Sequence, residues 1–177
     1  MDLDADLATA LGWPKLKYAQ IERERRWLCS QVPEEWLVRS RSISDLYLIG
    51  THLRLRAIQC LATGAIQYKL TRKADLSPDS RIITTIYLPE HEHDLLSRLP
   101  AKSLDKLRHS VCCPNGEMAT VDVFCGSLEG LCMIEVEFES DAAMTDYQPP
   151  EIAQVEVTDD ARYTGWQLAS RGMPGGQ

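Results

Sequence analysis

Glu22 and Glu24 stand two residues apart in the run from Ile21 to Leu28, which reads Ile-Glu-Arg-Glu-Arg-Arg-Trp-Leu. Side chains alternate faces along a β-strand, so a strand here gathers Glu22, Glu24 and Arg26 on one side and Ile21, Arg23, Arg25 and Trp27 on the other. Two carboxylates so close repel one another unless protons or a cation neutralise them, and a hard divalent cation is a common solution. Taken alone, the run also reads as a solvated edge strand or a helix of mixed charge.

Four further segments show the same period of two. Glu135 and Glu137 alternate with Ile134, Val136 and Phe138; Arg54 and Arg56 alternate with Leu53 and Leu55; Lys69, Thr71 and Lys73 share a face; so do Lys106 and Arg108. The signs are segregated by strand, and the opposite faces are largely apolar. An ordinary antiparallel sheet with one wet face mixes its polar residues. A barrel that turns the charges inward and the apolar residues outward, under helices, accounts for the pattern, and its lumen is wide enough for water and a ligand. The six basic groups outnumber the four carboxylates, which calls for a polyanion beside Mg2+ or Mn2+, the constellation suited to a phosphate chain.

The elements that must position these residues follow from turn and period signals. Residues 1–20 form an N-terminal extension, broken at Gly12 and Pro14, and residues 173–177 a flexible tail around a single domain over 21–172. Strands are expected at Ile21–Leu28, Ile43–Leu48, Leu53–Ala57, Gln67–Lys73, Arg81–Leu88, Asp105–His109, Met118–Cys125 and Leu131–Glu139. Pro33 opens a short helical turn, Pro89 a helix reaching about Leu99, and Pro114-Asn115-Gly116 a tight turn. Pro149 and Pro150 mark an irregular link, and a last helix is expected over Asp159–Arg171, capped by Thr158 or Asp159. The fold class is α+β, mainly β: about eight short strands forming an antiparallel closed barrel or a strongly curved sheet, with helices packed outside.

Composition narrows the partners. The 177 residues suffice for one domain with a real core. A net charge of -7 disfavours broad nucleic-acid binding. The absence of a long apolar run or a basic leader predicts a cytoplasmic protein away from membranes. The six cysteines lack paired metal-ligand spacing and are expected as free, mostly buried thiols, with Cys112 and Cys113 at the surface. His91 and His93 open a helix and are expected to be solvated, not a zinc pair.

Glu22-x-Glu24-x-Arg26 resembles the Glu-x-Glu-x-Lys motif of the CYTH superfamily, the triphosphate tunnel metalloenzymes, which includes inorganic and thiamine triphosphatases and class IV adenylate cyclases. The likeness continues in order through Arg54-x-Arg56, Lys69-x-Thr71-x-Lys73, Lys106-x-Arg108, the strand bearing Asp122, and Glu135-x-Glu137. It implies an eight-stranded tunnel with Glu22, Glu24, Glu135 and Glu137 on the metal. Arg54, Arg56, Lys69, Lys73, Lys106 and Arg108 would hold the phosphates, and Asp122 would be accessory. Glu22, Glu24, Arg26 and Lys69 would carry catalysis, and the C-terminal helix would plug one mouth. Three departures stand out: Arg26 for Lys, no inward glutamates where Ile83, Thr84 and Thr85 stand, and Gly165 where relatives often have Asn. The reading is a metal-dependent triphosphatase; a cyclase and a non-catalytic phosphate-ligand binder are the alternatives, and a homodimer is left open.

Overall fold

The computed structural model describes residues 5–175. Its strands are β1 (Gln20–Cys29), β2 (Leu37–Leu48), β3 (Leu53–Cys60), β4 (Ile66–Asp75), β5 (Ser80–Leu88), β6 (Ala101–Cys112), β7 (Met118–Phe124), β8 (Cys132–Glu137) and β9 (Ala153–Glu156). The first eight close into an antiparallel barrel in the order β1-β5-β4-β3-β2-β6-β7-β8, with β8 returning to β1. Closure is made at a divided seam. One edge of β1 pairs with β5 through residues 20–23 and with β9 through residues 27–29. Between them the Glu24 N–H donates to the Asp79 carbonyl at 2.9 Å and the Arg26 N–H to Thr158 Oγ1 at 3.0 Å.

Period-two patterning puts many of the apolar side chains outside the barrel, where two clusters bury them, and a third cluster lies at one end of the lumen. Trp27, Trp36, Val111, Val121, Ile134 and Val136 form one cluster. Against it lie Tyr147 and the helix α3 (Asp141–Asp146), whose first turn is capped by Ser140 accepting from the Ala143 N–H. On another side Ala8 of α1 (Ala5–Ala10) and Trp13 cover Ala74 and Ile82. Arg72 stacks 4.5 Å from the Trp13 ring and donates to the carbonyls of Leu11 and Gly12. Gly12 has φ +92°, and a Cβ there would overlap that guanidinium, so the position needs glycine twice over. The helix α2 (Glu90–Leu96) lies beside β4, with His93 4.5 Å from the Tyr68 ring.

The third cluster closes one end of the barrel. Leu168 of α4 (Gly165–Arg171) is buried with Leu104, Phe124, Leu128, Leu131 and Met133. Gly165 sits hard against Tyr47: a Cβ on it would lie 1.9 Å from the phenol oxygen. The helix can approach the mouth this closely because residue 165 has no side chain.

Several sequence expectations need correction. Strand β9 and helix α3 flank the link at Pro149 and Pro150 where none was expected, because their short apolar runs give too little period. The terminal helix begins at Gly165 after a 3-10 turn at Ala161–Tyr163, with Thr164 and not Thr158 or Asp159 at its N-cap. Helix α2 stops at Leu96, short of Leu99, and β8 stops at Glu137, short of Glu139. β2 and β6 are 12 residues each, longer than expected, since each pairs along nearly its full length with the other. All six cysteines are free, but Cys113 is buried and not a surface thiol. Cys60, Cys112, Cys125 and Cys132 are at least partly exposed.

Candidate functional site

The barrel encloses a cavity of about 680 Å³, lined by inward residues of all the barrel strands and by Tyr163, Gly165, Trp166 and Leu168 at the plugged end. Glu22, Glu24 and Arg26 of β1, Arg54 and Arg56 of β3, Lys69 and Lys73 of β4, Lys106 and Arg108 of β6, and Glu135 and Glu137 of β8 all face it. Asp122 is fully buried in the wall behind it. The alternation read from the sequence therefore brings the expected set into one cavity. The strand register sets their order: Glu24 lies opposite Glu137, Arg26 opposite Glu135, and Arg56 opposite Lys69.

The cations are held by two buried aspartates. Asp122 accepts from Lys106 and from both Nε and Nη2 of Arg108, the latter at 2.7 and 2.6 Å. Asp45 accepts from Arg56 at 2.6 and 2.7 Å and lies 3.6 Å from Arg54 Nε. Burial alone pushes both carboxyls up, yet the surrounding cations hold each well below the usual carboxylate range. Burial lowers the Lys73 ammonium to about 8, helped by Arg54 and opposed by Glu22 and Glu24. Lys106 is also lowered by burial, with Arg108 adding to it.

The acidic side is partly neutralised from within. Glu22 accepts from Lys73, Glu24 lies 2.8 Å from Arg81, and Glu135 accepts from Arg108 at 2.6 Å. Glu137 is the exposed member, and its carboxyl is raised by burial of the charged group and by the neighbouring Glu22 and Glu24. That shared negative potential is the environment a divalent cation offsets. The donor chemistry of Glu22, Glu24, Glu135 and Glu137 fits a hard divalent ion. Among the described residues, however, no three acidic, histidine or cysteine side chains are gathered at coordinating geometry. Lys73, Arg81 and Arg108 occupy those carboxylates, and an ion would have to displace them.

Two lumen residues and one buried wall residue escaped the sequence reading: Arg81, near the start of β5, lies opposite Glu22, Arg41 of β2 lines the cavity, and Asp45 is buried on the same β2 face behind it. Arg41, Ile43, Asp45 and Tyr47 alternate along β2, which begins at Leu37 and so reaches six residues ahead of the expected Ile43. On β5 the inward residues are Arg81, Ile83, Thr85 and Tyr87, whereas Thr84 points out and bonds Trp13. Thr85 shares a hydrogen bond of 2.9 Å with Thr71.

Arg26 is almost fully buried, and its guanidinium is tied to the Thr158 carbonyl at 3.1 Å, with Glu24 at 3.8 Å. Lys69 stacks 4.9 Å from the Tyr87 ring. Among the described residues, the buried Nε atoms of Arg26, Arg41, Arg54 and Arg81 have no hydrogen-bond partner. Nine cationic side chains among the described residues line the cavity against five carboxylates, so a positive surplus remains even after Asp45 and Asp122 are counted. Orphaned cationic donors in a half-enclosed cavity are costly unless an anion satisfies them.

The fold and its lining define an antiparallel β-tunnel protein with a cationic interior and an acidic side. No family model matches the chain. The chain is 40% identical over 68 residues to an inorganic triphosphatase of Nitrosomonas europaea, a stretch spanning 38% of this chain and 45% of that relative. It superposes on the solved structure of the inorganic triphosphatase NE1496 with a TM-score of 0.61 and 29% identity, covering 87% of this chain and 97% of the other. The PH1819 protein of Pyrococcus horikoshii shares the fold at TM-score 0.52 and 21% identity, over 70% and 82% of the two chains. In fold, and over part of its sequence, the chain is thus similar to an inorganic triphosphatase.

Proposed function

We propose that the cavity binds a linear triphosphate, inorganic or organic, with Mg2+ or Mn2+ and hydrolyses it. The observation that carries this reading is the lining itself: a cationic surplus, with several guanidinium Nε atoms that make no hydrogen bond among the described residues, and four glutamates in one cavity. A triphosphate carries several negative charges on a short chain and offsets that surplus, meeting Arg54, whose Nε makes no hydrogen bond, and the guanidinium nitrogens of Arg56 and Arg108 that Asp45, Asp122 and Glu135 leave open. Lys69, Lys73 and Lys106 act as point charges along the chain.

Glu22, Glu24, Glu135 and Glu137 are the residues that would hold the metal. When bound, such an ion polarises a phosphoryl oxygen and lowers the pKa of a coordinated water. The chain's own part is to orient the phosphates, to offset charge building on the leaving oxygens, and to exclude bulk water at the plugged end. Asp122 and Asp45 position Lys106, Arg108 and Arg56 for this, and Arg26, fixed by backbone carbonyls, braces Glu24. Hydrolysis in the family of the named relatives supports the reading; the substrate of this chain is part of the proposal.

A second reading, a binder without turnover, is favoured by one observation. Ile83 and Thr85 give the β5 face of the cavity no carboxylate. A phosphate-release screen of inorganic triphosphate, ATP and thiamine triphosphate with Mg2+ and with Mn2+ separates the readings. Metal-dependent release well above the metal-only blank is expected for at least one substrate. Tight calorimetric binding without release would favour the binder, and cyclic AMP formed from ATP would favour the class IV cyclase.

A further inference from the structure

A second feature lies outside the barrel wall and apart from the triphosphate cavity. Cys29 ends β1 and Cys132 begins β8. The register that pairs Leu28 with Met133 places these two cysteines opposite one another at the next step. Their sulfurs are 3.0 Å apart, about 1 Å beyond a disulfide bond. Both line a separate cavity of about 630 Å³ that also includes Ser30, Gln31, Val32 and His109. Cys29 is buried, whereas Cys132 is partly exposed.

We propose that Cys29 and Cys132 form a peroxide-oxidisable dithiol site, in which Cys132 is the attacking sulfur and Cys29 the resolving one. The asymmetry of exposure assigns the roles, since the sulfur that meets peroxide must be reached from the cavity. The shared hydrogen bond acts in the same direction: it lowers the Cys132 thiol and raises that of Cys29. In the first step the Cys132 thiolate attacks one oxygen of hydrogen peroxide. The O–O bond breaks, hydroxide leaves and takes a proton to become water, and Cys132 becomes a sulfenic acid. In the second step Cys29 sulfur attacks Cys132 sulfur and the S–O bond breaks. The hydroxyl leaves as a second water with the Cys29 proton, so two thiols and one peroxide give one disulfide and two waters. Contact between the sulfurs makes this second step fast relative to over-oxidation, because no segment has to move far.

The location gives the chemistry a structural consequence. Cys29 lies three residues beyond Arg26, and Cys132 three residues before Glu135. A covalent link there pins the one strand pair that carries all four cavity glutamates. The proposal stands on the thiol geometry and does not depend on the triphosphate reading.

The test is thiol counting and peptide mapping of the full chain after limited hydrogen peroxide. Free thiols are expected to fall from six to four, with a single Cys29–Cys132 cross-link that dithiothreitol reverses. In Cys29→Ser the sulfenic acid on Cys132 is expected to persist and be trapped by dimedone; in Cys132→Ser, Cys29 stays unlabelled. A count that stays at six, a cross-link mapped to other cysteines such as Cys112 and Cys113, or dimedone on Cys29 and not on Cys132 would overturn the proposal.

Discussion

Asp122→Ala removes the carboxylate that Lys106 and Arg108 share inside the barrel wall. Asp122 has no exposed surface, and Lys106 is nearly as buried, so the variant leaves two cations facing each other in a poorly hydrated place. Removing one partner of a buried ion pair costs about 3–5 kcal/mol. Arg108 keeps Glu135 at 2.6 Å, which puts the expected loss at the lower end, about 3 kcal/mol. With a urea m-value of about 2 kcal/mol/M, the unfolding midpoint falls by about 1.5 M. The pH dependence carries a sign. Because the folded-state pKa of Asp122 is depressed, its contribution is complete above the unfolded carboxyl value, near 4, and is lost as pH falls through the lower folded value. The difference between wild type and variant is therefore constant from pH 7 to about pH 4 and shrinks only in stronger acid. Urea titrations at pH 7, 5 and 3 check this. A midpoint within about 0.3 M of wild type at pH 7 would refute the claim that Asp122 is the counter-ion of that cation pair.

Other substitutions probe neighbouring parts of the account. Gly165→Ala forces Tyr47 or α4 to move, and the overpacking costs about 1–3 kcal/mol; Tyr47→Phe in the same chain recovers part of it, read from thermal melts. Glu137→Gln relieves repulsion from Glu22 and Glu24, so without metal its Tm rises, while the gain in Tm on adding Mg2+ or Mn2+ becomes smaller than in wild type. Trp13→Ala opens the cluster over Ala74 and Ile82 and removes the ring under Arg72, lowering stability by about 3 kcal/mol in urea unfolding.

The closed barrel and most of its lining were legible because strand alternation is a strong and local signal. Arg54/Arg56, Lys106/Arg108 and Glu135/Glu137 declare a shared face by spacing alone, and the segregation of signs over several strands with apolar opposite faces favours turning that face inward. Arg81 and Asp45 were not legible for a different reason. Arg81 is the lone charge of its strand, and Asp45 shares a face with Arg41 only once β2 extends back to Leu37; pairing, Arg81 beside Glu22 and Asp45 beside Arg56, shows where both belong. The internal neutralisation of Glu22, Glu24 and Glu135 by Lys73, Arg81 and Arg108 is likewise a property of closure and not of any segment. β9 was missed because four residues carry too little period to register, and its role, completing the edge of β1 that β5 leaves open, exists only in three dimensions.

The central claim is that one cavity binds a triphosphate on its cations and uses a metal on its glutamates to cleave it. The most direct measurement is phosphate release from inorganic triphosphate at saturating Mg2+ or Mn2+, by wild type and by Glu22→Ala side by side, with circular dichroism confirming that both are folded. The account predicts metal-dependent release by wild type and a rate lower by about two to three orders of magnitude in the variant. Release by folded Glu22→Ala at the wild-type rate would contradict it.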